Sequence, residues 1–70
     1  MKIDGSIIKD IDINKDSYAI ASAIVAFAKD LGIKTIAEYV HSKEIFNVCK
    51  EIGIDEFQGF YLGIPSKKAF

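Results

Sequence analysis

Four polar side chains stand beside short apolar runs in this chain: Lys2 and Asp4 flank Ile3, Glu38 follows Ile36 and Ala37, and Gln58 follows Phe57. Held together on one rim, a cation, two carboxylates and an amide would make half of an active site; scattered, they would belong to a packing fragment. Tyr39 comes directly after Glu38, and the single histidine, His41, two residues later. Spacing alone also fits plainer roles. Lys2 and Asp4 could be an exposed terminal pair, Glu38 a solvated residue between strand and helix, and Gln58 a hydrogen-bond partner for a neighbouring loop. His41 could be a surface residue beside a helix cap, and the aromatics Phe57, Phe60, Tyr61 and Phe70 read first as packing. Whether the polar residues act together depends on the elements that carry them.

Those elements are legible as three β-type runs, residues 1–3, 33–40 and 54–60, alternating with two helical segments. Over residues 18–31, Ile20, Ile24, Phe27 and Leu31 fall on one helical face, with Asp16 or Ser17 as cap and Gly32 at the left-handed stop. Over residues 43–52, Ile45, Val48, Cys49 and Ile52 share a side, with Ser42 as cap, Glu44 in the first turn and Gly53 at the end. Residues 5–16 read as a mixed polar and apolar loop. The run Leu31-Gly32-Ile33 returns 21 residues later as Ile52-Gly53-Ile54. Helix, glycine and strand thus recur in a β-α-β-α-β unit with parallel strands. In such folds chemistry gathers at the carboxyl ends of strands. Alternation puts Lys2 and Asp4 on one face and Ile36 with Glu38 on one face, so the four polar residues can converge on one rim. Two crossovers of the same hand cover only one face of the sheet. The other face needs further strands or a second copy of the chain.

The totals narrow the class. Nine lysines and no arginine stand against ten carboxylates, a formal charge of −1 over 70 residues. No basic footprint for DNA or RNA is present. Cys49 stands alone, so neither an internal disulfide nor a thiolate zinc site can form, and a reducing cytoplasm is the expected compartment. The longest apolar stretch, residues 19–28, is about half of what a membrane span requires. Residues 1–4 do not read as a signal peptide, because an acidic residue already stands at position 4.

Three segments then carry a resemblance: Lys2-Ile3-Asp4-Gly5-Ser6, Leu31-Gly32-Ile33-Lys34-Thr35-Ile36-Ala37-Glu38, and Gln58-Gly59-Phe60-Tyr61-Leu62-Gly63-Ile64-Pro65. In order and spacing they resemble the last third of an EAL domain, the family that hydrolyses the bacterial second messenger cyclic di-GMP. The resemblance implies a partial EAL domain over residues 1–65 and a C-terminal tail over 66–70. It implies an α/β fold, the last strands and helices of a TIM-like (β/α) barrel whose other strands would cover the bare sheet face. It implies two Mg²⁺ or Mn²⁺ ions in the complete domain, held by residues outside this chain, with Glu38 and Asp4 reaching them only through water. Lys2 resembles the lysine that orients the attacking water, Asp4 its acidic companion, Glu38 the proposed general base, and Gln58 the glutamine of the last strand. Tyr39 and His41 take substrate or metal-water shell positions, and both depart from the family pattern. Tyr39 replaces a glycine, His41 replaces a second glutamate, and Ile64 stands where lysine is frequent. The implied function is a phosphodiesterase segment, inactive as 70 residues alone. The alternative is a degenerate receptor or interaction module. The implied partners are cyclic di-GMP and either the rest of the barrel or a second copy through the bare sheet face.

Overall fold

A computed structural model describes residues 1–59, in the order β1 (Lys2–Ile3), α1 (Gly5–Ile8), α2 (Lys15–Asp30), β2 (Ile36–Ala37), α3 (Lys43–Ile52) and β3 (Glu56–Phe57). The expected tail 66–70, the aromatics Phe60, Tyr61 and Phe70, and Ile64 lie outside the described residues. The three strands form one parallel sheet in the order β1-β2-β3. Lys2 pairs with Ile36 and Ile36 with Glu56, while Ile3 pairs with Ala37 and Ala37 with Phe57. The strand register thus runs 20 residues from β2 to β3, one fewer than the 21-residue echo at the helix ends.

The strands are shorter than the apolar runs suggest, for two local reasons. Before β2, Thr35 is tied to the Asp55 side chain, whose carboxylate accepts from the Thr35 main-chain N–H at 2.8 Å and from its hydroxyl at 3.3 Å. After β2, Tyr39 takes a φ of +64° and turns the chain out of the extended region. Main-chain bonds still spread the pairing beyond the strands. Met1 N donates to Lys34 O at 2.7 Å, Glu38 N to Ile3 O at 3.3 Å, Gln58 N to Ala37 O at 2.8 Å and Val40 N to Gln58 O at 2.8 Å. The last of these brings the chain at Gly59 against Val40. A Cβ on Gly59 would lie 2.2 Å from Val40 N and 2.3 Å from its carbonyl oxygen, and φ there is +151°, so only glycine fits.

The stretch expected as a loop contains α1. Asp4 caps it, its carboxylate accepting from Ser6 N at 2.9 Å. Four residues are too few to show a period, which is why the helix is invisible to pattern. Its effect is to bury Ile8, with Ile11 following in the next turn.

Helix α2 begins three residues earlier than its apolar stripe implies. Asn14, not Asp16 or Ser17, is the cap: its side-chain oxygen accepts from Asp16 N at 2.9 Å and Ser17 N at 3.2 Å. Asp10 steadies this start, accepting from the Asn14 amide at 3.0 Å and the Ser17 hydroxyl at 2.9 Å. The face packed on the sheet also differs from expectation. Ser17, Ala21, Val25 and Ala28 are buried, whereas Ile20 (48%), Phe27 (58%) and Leu31 (57%) are exposed. Both stripes have helical period. The stripe with small side chains contributes Ala21 and Val25 to the core, with Ile24 of the other stripe packed against it. Gly32 ends the helix as expected, with φ +71°, Gly32 N donating to Lys29 O and Ile33 N to Ala28 O.

Helix α3 has the expected bounds. Ser42 Oγ accepts from Ile45 N at 3.1 Å, and Gly53 closes the helix in the left-handed region. Ile45 and Cys49 are buried, and join Ile3, Ala37, Val25 and Ala21 in one core between the helices and one face of the sheet. Alternation then leaves Lys2, Ile36 and Glu56 on the other face, where Lys2 and Glu56 are exposed and Ile36 is half-buried. No helix among the described residues is long and apolar enough to cross a membrane.

Candidate functional site

At the carboxyl ends of β1 and β2, the Lys2 ammonium lies 3.8 Å from a Glu38 carboxylate oxygen. Adjacent parallel strands deliver the two side chains to the sheet face that no helix among the described residues covers. Glu38 sits two residues beyond Ile36 on the same side, its main-chain N–H anchored to Ile3 O. The carboxylate is only 34% exposed while the lysine is 62% exposed. An open ion pair of this kind contributes little to stability, so its value lies in placing opposite charges on an accessible surface.

The other expected residues divide. Gln58 follows β3 at the same rim, exposed, with both main-chain groups bonded to the segment 37–40. The Asp4 carboxylate is turned to α1, where it accepts from the Ser6 hydroxyl and the Ser6 main-chain N–H. These bonds, the hydroxyl first, hold its pKa below the ordinary 3.8, so it stays ionised while it serves as a cap. His41 is committed to α1 as well. Its Nε2 lies 3.0 Å from Lys9 O. A carbonyl only accepts, so Nε2 carries the hydrogen and donates. The Tyr39 ring lies 5.0 Å from the His41 ring, tilted by 53°.

Glu56 is a rim neighbour that spacing could have named. It stands two residues before Gln58 and shares a sheet row with Lys2 and Ile36, so the alternation that picked Gln58 also picks Glu56. Cys49 is no candidate: burial pushes its thiol up to about 11, leaving it protonated at neutral pH. Among the described residues no three His, Cys, Asp or Glu side chains come together in a way that could hold a metal ion. The described residues thus bring a charge pair and an amide to one rim.

Comparison with known proteins places this geometry. The sequence profile of the EAL domain matches residues 1–65. PdeB, a cyclic di-GMP phosphodiesterase of Shewanella oneidensis, is 38% identical over 69 residues, which are 99% of this chain and 8% of that protein. BlrP1 of Klebsiella pneumoniae, solved with manganese and cyclic di-GMP, superposes with a TM-score of 0.84 at 36% identity, over 87% of this chain and 16% of that one. BlrP1 has also been solved with calcium and cyclic di-GMP. A standalone EAL protein of Vibrio cholerae O395, bound to cyclic di-GMP, superposes with a TM-score of 0.84 at 29% identity, over 99% of this chain and 28% of that one. The chain spans less than a third of each of these proteins. It belongs to the EAL-domain family, and its parallel strands and helices are a segment of that family's TIM-type (β/α) barrel.

Proposed function

We propose that this chain supplies one wall of a barrel that hydrolyses cyclic di-GMP to the linear dinucleotide. The observation that carries the reading is the 3.8 Å pair of Lys2 and Glu38 at adjacent strand ends on the uncovered face. A phosphodiester brought to that face meets the lysine, which lowers the cost of its negative charge. Glu38 beside it accepts the proton of the attacking water. Gln58 offers an amide donor from the third strand. Asp4, held by Ser6 on the strand that carries Lys2, would add a fixed negative charge near the rim.

In a complete barrel Mg²⁺ or Mn²⁺ would supply the activation of water and the charge neutralisation that such hydrolysis needs. The residues described here do not fit such a centre by themselves. The remainder of the barrel, seated on the sheet face that carries Lys2, Ile36 and Glu56, supplies the ligands. The single buried thiol suits a reducing, cytoplasmic setting.

The test compares two samples given cyclic di-GMP and Mn²⁺: these 70 residues alone and the protein as its gene encodes it. The first yields no linear dinucleotide. The second does, and Glu38→Gln lowers its rate at least about a hundred-fold, the scale of a lost general base. Turnover that survives Glu38→Gln unchanged would remove the central role of the pair.

One observation favours a receptor as the second reading. His41 stands where the family pattern has a carboxylate, and its ring is committed to the Lys9 carbonyl. In that case the gene-encoded protein binds cyclic di-GMP and leaves it intact.

A further inference from the structure

Among the described residues Tyr39 alone, other than glycines, has a positive φ, at +64°. In that conformation an L-residue with a bulky side chain carries a steric cost that glycine avoids. Strain of this kind persists where something else fixes it, and it clusters at ligand sites. Burial does not fix it here, because Tyr39 is 50% exposed. The surroundings instead hold the side chain in place. Below it is Gly5, where even a Cβ would lie 3.0 Å from the Tyr39 Cβ, so the absence of a side chain there makes the room. To one side is the His41 ring at 5.0 Å, itself pinned by its bond to Lys9 O at 3.0 Å. The result is a half-open aromatic ring, braced on two sides, one residue beyond the carboxylate that pairs with Lys2.

From this we infer that Tyr39, braced by His41, is a stacking surface for a purine base of the ligand. The inference rests on the cyclic dinucleotide reading and adds to it a base contact made by this chain. A tyrosine ring gives a rigid apolar face with few rotatable bonds, and purines stack on such faces without needing a particular hydrogen-bond pattern.

The experiment is calorimetric binding of cyclic di-GMP to the gene-encoded protein in EDTA, where turnover does not intrude, with the thermal midpoint of each variant recorded in parallel. Tyr39→Phe keeps the ring and the strain, and should bind within about two-fold of the wild type. Tyr39→Asn tolerates positive φ but has no ring. It should melt no lower than the wild type and bind about ten-fold more weakly, the scale of one lost base–aromatic stack. Tyr39→Gly should behave as Tyr39→Asn does. Asn and Gly variants that bind within about two-fold of a binding wild type would show that the ring only packs on Gly5, and would overturn this inference while leaving the dinucleotide reading intact. A wild type that binds no cyclic di-GMP overturns both.

Discussion

At the scale of single residues, the fold is pinned by short side chains that replace main-chain partners. Asp55 is the clearest case. Its bonds from Thr35, the main-chain N–H ahead of the hydroxyl, hold its pKa below 3.8, and Lys29 and Lys34 add to the effect. Asp10, through Ser17 and then Asn14, is shifted the same way. A carboxylate whose folded pKa is depressed stabilises the native state above its unfolded pKa, and that contribution is lost as pH falls through the folded value. Resistance to urea should therefore fall as the pH drops below the ordinary carboxylate value of 3.8. In Asp55→Asn, which keeps an acceptor for Thr35 but cannot titrate in this range, the drop should be shallower. An acid limb identical to the wild type would mean that Asp55 is not a contributor. That Lys2 and Glu38 can share a rim was legible from strand alternation and parallel pairing; that these two in particular form an ion pair was not. Asp4 as a cap and His41 on the Lys9 carbonyl were not, since both depend on a helix too short to announce itself.

Among the elements, helix α2 shows what periodicity can and cannot give. Its existence and its glycine stop could be read from spacing. Which stripe meets the sheet could not, because Ser17-Ala21-Val25-Ala28 and Ile20-Ile24-Phe27-Leu31 repeat at the same interval. Burial decides: Ala21 and Val25 of the small-residue stripe join the core with Ile3, Ala37 and Ile45, while Ile20, Phe27 and Leu31 stay exposed. Ala28 is fully buried, so Ala28→Leu should overpack the seam and lower unfolding stability by about 1–3 kcal/mol. Phe27→Ser, on the exposed stripe, should change it by no more than about 0.5 kcal/mol. Urea titrations with the opposite ranking would place the large residues inward after all. Helix α3 matched its expected bounds because a serine and a glycine mark its two ends without competitors nearby. The strands matched in place but not in length, since the runs that look apolar also hold the turn at Tyr39.

For the molecule as a whole, the governing fact is a sheet whose helices, among the described residues, pack on one side. The bare side carries Lys2, Glu38 and Glu56 around Ile36, the composition of a wet, ligand-facing wall more than of a dry core. A 70-residue chain with one helix layer has little stability in reserve. If copies of the isolated chain pair through that side, mass action ties stability to concentration. The thermal midpoint of the isolated chain should then rise by several degrees over about a hundred-fold increase in concentration. A constant midpoint would exclude self-association as what covers the sheet. The need for a partner was legible because parallel strands and two crossovers leave a face open by topology alone. The polarity of that face was only partly legible, since Glu56 went unremarked.

The close approach at Gly59 separates two demands that share one short stretch. Among the described residues position 58 is bonded through its main chain, so its side chain is open to selection by whatever the rim must touch. Position 59 has no such latitude: one methyl would wedge β3 away from Val40 and cut the bond that carries position 58 to the rim. Randomising the two codons together should accordingly return many residues at the first and a single one at the second. Chemistry can drift at this strand end while its scaffold stands still.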